Sequence, residues 1–158
     1  MEPPSTLSKP LDAVLLVRNV LRRLNAGEMN TFEQRLKTQK VQYFAQIFGV
    51  SPYYDFNLYL RGPYSPFLAR DLFSLEVTNQ EYHFEKFTSN EMEARFSALN
   101  RFVSNKSIRE LEVISTFHWL LNVACVSKEE ARKRLKELKV TSSDELEMVD
   151  KALVGLPK

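Results

Sequence analysis

The side chains with the greatest chemical reach in this sequence are His83, His118 and Cys125. Neither histidine has a second histidine or cysteine at the spacing that sets two ligands on one helix face or turn. A zinc site would therefore have to draw on carboxylates that the pattern does not single out. His118 precedes Trp119 in an apolar stretch, and both histidines read as structural. Cys125 would become a nucleophile only beside a base that lowers its pKa. It follows Val123-Ala124 at the end of an apolar helix and is expected to be a small buried thiol. The four glycines, at 27, 49, 62 and 155, are isolated, so no phosphate loop is present, and there is no G-x-S-x-G elbow. The expectation is a non-enzyme with no cofactor and no metal.

Two segments could bind rather than react. The run RKRLKELK at 132–139 carries Arg132, Lys133, Lys136 and Lys139, candidates for contacting a phosphate backbone. They are interleaved with Glu129, Glu130 and Glu137 and spread over more than one helix face, the pattern of a solvated surface helix. Tyr53, Tyr54, Phe56, Tyr59, Tyr64 and Phe67 form the most unusual local composition of the chain. Some of these rings must belong to the core, and plain packing is the leading reading; turn tyrosines such as Tyr64, which combine apolar area with a polar tip, also suit protein interfaces.

The corner Arg61-Gly62-Pro63-Tyr64-Ser65-Pro66 lies inside that aromatic segment. Gly62 permits a backbone geometry that a side chain opposes, Pro63 and Pro66 fix two φ angles, and Ser65 is placed to cap a helix. Such a turn would hold Tyr59, Arg61, Gly62, Tyr64 and Ser65 in a fixed pose, and these are the candidate partner-binding residues.

The elements that must position these residues are mostly helical. Leu11, Val14, Leu15, Val17, Val20, Leu21 and Leu24 recur at helical spacing over 11–26, with Gly27 expected as the cap. Thr31 and Gln34 predict a capping box for a second helix ending at Gly49. FNLYL at 56–60 and EYHFEKF at 81–87 alternate like strands, predicting a hairpin with a short helix in its connection. Asn90 with Glu93, Ser107 with Glu110, Ser127 with Glu130 and Ser142 with Glu145 predict four further helices. The fold class is mainly α (α+β): one helical domain over 11–158 with a small two-stranded β-hairpin, after a loose terminus at 1–10. Alternatively, two helices over 128–154 and the hairpin imitate a winged helix.

A chain of 158 residues should bury about 70% of its unfolded surface in one core. The net charge of +2, from 22 basic and 20 acidic residues, lacks the basic excess of a dedicated nucleic-acid binder. A single cysteine precludes an internal disulfide and suits a reducing compartment. No apolar run approaches the ~20 residues of a membrane span, and Glu2 with two prolines stands where a signal peptide would be basic. The expected location is the cytoplasm, and the expected partner is a protein in preference to nucleic acid.

The stretch Gln39-Lys40-Val41-Gln42-Tyr43-Phe44-Ala45-Gln46-Ile47-Phe48-Gly49, then a strand, then Arg61-Gly62-Pro63-Tyr64-Ser65-Pro66-Phe67-Leu68-Ala69-Arg70-Asp71-Leu72, resembles the YwgA-like proteins of bacteria and archaea. Those proteins have a QK-hydrophobic-x-Y helix, a GPYS turn and a helix ending in a D-L pair. Leu111–Thr116, Ser127–Ala131 and Leu135–Lys139 extend the likeness to roughly residues 36–154. Leu60-Arg61 departs from it, since an aromatic commonly precedes the glycine. More distantly, the YFAQ and GP elements are similar to the Panacea domain, which neutralises toxins by direct protein contact. The resemblance implies a non-enzymatic prokaryotic interaction or regulatory module, antitoxin-like in its specific form. The alternative is a DNA-binding regulator using the C-terminal helices.

Overall fold

A computed structural model describes residues 7–78, 87–139 and 141–157. Seven α-helices and one two-stranded sheet follow in the order α1 (Leu11–Arg23), α2 (Phe32–Ile47), β1 (Asn57–Tyr59), β2 (Gly62–Tyr64), α3 (Pro66–Thr78), α4 (Asn90–Ser104), α5 (Ile108–Asn122), α6 (Lys128–Leu138) and α7 (Ser143–Val154). The fold is the expected helical domain with a small hairpin.

Helix α2 is the hub, buried without a break from Thr38 to Ala45. It packs against α1, α4, α5 and β2, while α5 carries α6 and α7 on its other sides. Between them lies one apolar core in which Phe44, Leu68, Leu99, Val113, Ile114 and Leu135 lose essentially all contact with solvent. Each such side chain contributes about 1.5–3 kcal/mol on burial. Phe102 packs on Phe44 and Phe48 with ring centroids 5.0 and 5.7 Å apart, tying α4 to α2.

The helix starts follow the sequence closely. Thr31, Ser107 and Ser142 close reciprocal capping boxes with Gln34, Glu110 and Glu145. Ser127 accepts from the Glu130 amide without the return bond, because the Glu130 carboxylate takes the Arg134 guanidinium instead. The start of α4 is one residue earlier than expected: Ser89 accepts from the Met92 amide. Glu93, expected to reach back to Asn90, instead receives Arg23 through two bonds of 3.0 and 2.9 Å and the Phe87 amide.

Three further expectations are corrected. Helix α1 ends before Gly27: Asn25 takes the left-handed position with φ of 57°, and the Ala26 amide bonds back to the Leu21 carbonyl. The partner of β1 is Gly62–Tyr64 in a tight antiparallel hairpin (Asn57 opposite Tyr64, Tyr59 opposite Gly62). The expected partner strand lies largely outside the described residues, as does His83. Cys125 is exposed, not buried, because the chain leaves α5 at Val123 and turns sharply toward Ser127. Cys125 occupies that corner with φ of 55°.

Of the ten leading residues, 1–6 lie outside the described region. Ser8 is tied down by its amide and hydroxyl to the two oxygens of Asp71, at 2.9 and 2.5 Å. No described helix is long and apolar enough to cross a membrane.

Candidate functional site

The expected corner at 61–66 is the tip of the β1–β2 hairpin and the start of α3. Gly62 has φ of 94°, a conformation L side chains resist. A Cβ there would also stand 3.0 Å from Thr116 Oγ1, 3.1 Å from Lys40 Nζ and 3.4 Å from Glu112 Cγ. The turn is thus pressed onto α2 and α5, and glycine is required both by its backbone angle and by the space.

Polar side chains of the two hub helices hold the corner from below. Gln39 brackets Ser65, its Nε2 donating to the Ser65 carbonyl at 3.0 Å and its Oε1 accepting from the Ser65 amide at 2.9 Å. Lys40, 1% exposed, donates from Nζ to the Pro63 carbonyl at 2.7 Å. The proline has no amide to contribute to pairing, and its carbonyl takes the ammonium. Farther along α2, Gln42 donates to the Pro52 carbonyl at 3.0 Å. Gln46 brackets the backbone of Tyr54 with two bonds of 3.0 Å. Residues 39, 42 and 46 share one helix face, so a row of amides clamps the segment from 52 to 65 onto α2.

Under the hairpin tip sits Glu112, also 1% exposed. Its Oε1 accepts from Arg61 Nε at 2.7 Å and its Oε2 from Lys139 Nζ at 2.6 Å. Lys139 donates further to the Leu60 carbonyl at 3.3 Å, and Arg109 stands 3.7 Å from Oε2. Burial alone would push the Glu112 carboxyl up. The hydrogen bonds and charges of Lys139 and Arg61 outweigh it and hold the group below the usual carboxylate range. Lys40 faces the opposite balance. Its burial dominates, Glu112 opposes, and the neighbouring Lys139 and Arg61 add to the burial, bringing its pKa down to about 7.

The candidate partner-binding residues consequently divide into two groups. Gly62 and Ser65 are buried and serve the scaffold, which corrects the expectation that they form part of a contact surface. Tyr59, Arg61 and Tyr64 surround the tip. The Tyr59 and Tyr64 rings meet edge to face at 5.4 Å, and the Arg61 guanidinium lies 5.8 Å from the ring of Phe32 at the start of α2. Leu60 projects farthest, 89% exposed. Tyr64 also lines a cleft of about 600 Å³ between the start of α2 and helix α3.

The basic candidates fare differently. Lys139 is buried on Glu112 and leaves the set, because the chain turns inward after α6. Arg132 is bonded to Asp150 of α7. Lys133 and Lys136 remain exposed on α6.

The residues missed in the sequence are Gln39, Lys40 and Glu112, which hold the corner together with Lys139, a residue singled out only as a phosphate contact. A detectable signal existed, since Gln39-Lys40 and Glu112 interrupt otherwise buried helical stretches. Helices buried on several sides tolerate such groups only when they are paired. Elsewhere, His118 shares a 2.6 Å hydrogen bond between its Nδ1 and the Tyr43 hydroxyl, and burial pushes its pKa down. Among the described residues no three His, Cys, Asp or Glu side chains gather as metal ligands would. Comparison with protein-family models, with curated proteins and with solved structures gave no match.

Proposed function

We propose that this chain is a non-enzymatic interaction or regulatory module of the YwgA-like kind, acting in the cytoplasm and docking a protein through the hairpin tip. The observation that carries the reading is the contrast between the two sides of that tip. Beneath it, Gln39, Lys40, Glu112 and Lys139 fix the backbone at a cost in buried charge. Above it, Leu60, Tyr59 and Phe32 are exposed around Arg61. A rigid tip presenting aromatic, aliphatic and arginine side chains loses little entropy on docking, and tyrosine and arginine are the residue types that dominate interface energetics. An antitoxin-like role is the specific form that the resemblance implies.

The test places a photo-crosslinking amino acid at Leu60 in the full chain, in cells, with Val154 as a control of similar exposure (86%). A discrete protein adduct is expected at position 60 and not at 154. It should fade in Tyr64→Ala and Arg61→Ala backgrounds that retain native circular dichroism. Identical adducts at both positions, or undiminished adducts in both variants, would show that the tip is not the docking surface.

A further inference from the structure

The cleft beside Tyr64 carries a second, more specific statement about the partner. Its walls are apolar, formed by Met29, Tyr64 and Phe73, and Phe73 is 66% exposed. The charged residues lining it are Arg35, Arg70 and Glu76. Among the described residues neither arginine has a carboxylate partner. Arg35 donates to the Met29 carbonyl at 3.3 Å and Arg70 lies over the Phe67 ring at 5.0 Å, contacts that steer the guanidiniums and leave their charge uncompensated. At about 600 Å³ the cleft has the size of sites that take a small ligand or one or two large side chains.

We infer that this cleft receives a short acidic segment of the partner protein. One large apolar side chain of that segment inserts between Tyr64 and Phe73, and flanking carboxylates face Arg35 and Arg70. Charge complementarity selects the occupant: two unpaired arginines against one carboxylate favour an anion, and the guanidinium fork suits a carboxylate. A polyphosphate fits less well. The one lining carboxamide close to the corner, that of Gln39, is already committed to Ser65 and is not free to receive a phosphate oxygen. The inference rests on the hairpin tip being a docking surface and specifies what lies against its flank.

The test pans a displayed library of short random peptides against the full chain. Enriched sequences should pair acidic residues with one aromatic or large aliphatic residue. Their affinity, measured by fluorescence polarisation of labelled winners, should fall roughly tenfold for Arg35→Glu and again for Arg70→Glu. Arg35→Lys should retain part of it, and binding should weaken with added salt. No enrichment, enrichment without acidic residues, or winners indifferent to both reversals would overturn the inference. So would binding of a fluorescent nucleotide that the same reversals abolish, which would assign the cleft to phosphate. If the position-60 adduct persists while the peptide result fails, the docking surface stands and the acidic-segment assignment falls.

Discussion

Glu112 of α5 and Lys139, just past the end of α6, meet at 2.6 Å with both side chains sealed from solvent. The bond does more than pair two charges. Lys139 passes the connection on to the Leu60 carbonyl, and Glu112 passes it to Arg61, so both residues at the hairpin tip are fixed by a group that lies beneath them. The tip is stiff because its anchor belongs to the core.

Glu112→Gln keeps the shape of the side chain and removes its charge, which strands Lys139 in a dry site. Breaking a buried pair from one side costs about 3–5 kcal/mol, whereas replacing both partners with apolar groups is often neutral. Glu112→Gln should therefore lower the urea midpoint sharply, and adding Lys139→Met should recover much of the loss. A single variant within about 0.5 kcal/mol of the parent would mean that the pair is not what holds the tip.

Lys40 makes stability depend on pH in the alkaline range. Its folded pKa of about 7 lies below the ordinary 10.5. Between those values the unfolded chain binds a proton that the folded chain has lost. Stability from this group is thus lowest below pH 7 and rises as pH climbs toward 10.5, by at most about 1.4 kcal/mol per unit. The measurement belongs below pH 10, because the Tyr43 and Tyr54 hydroxyls, pushed up by burial, favour the unfolded chain once free tyrosine ionises. Urea denaturation at intervals from pH 7 to 9.5 should show the rise in the parent and a flatter profile in Lys40→Met. A parent profile as flat as the variant's would place a fully charged ammonium in the core.

What could be read in advance follows from the range of each interaction. Capping boxes at Thr31, Ser107 and Ser142 join residues three apart, and apolar stripes repeat within a turn, so the helical domain was legible. Gly62, Pro63 and Ser65 announced a rigid corner for the same reason. The residues that clamp it lie 23 to 79 positions away in sequence, from Lys40 on Pro63 to Glu112 on Arg61 and Lys139 on Leu60. A local pattern shows such residues only as interruptions of an apolar stretch. The hairpin partner is hidden from local pattern because alternation at 81–87 is a stronger strand signal than GPY, three residues that include a proline, which strand propensity disfavours. By local pattern Lys139 groups with its neighbours on α6, although the chain beyond the helix carries it inward.

That relocation of Lys139 bears directly on nucleic-acid binding. With Lys139 buried and Arg132 and Lys128 facing Asp150, the exposed basic charge left from the run is chiefly Lys133 and Lys136. Each phosphate contact contributes close to one unit to the slope of log affinity against log salt. Duplex DNA should accordingly bind weakly, with a slope magnitude of about 2–4, and binding should vanish near physiological salt. Lys133→Glu with Lys136→Glu should abolish the residual shift in a low-salt mobility assay while leaving the photo-adduct at position 60 intact. A slope of about 6 or more, or a shift that survives physiological salt on one sequence and not another, would favour the winged-helix alternative. In that event basic residues outside α6 would have to share the contact, because two exposed lysines cannot release that many counterions.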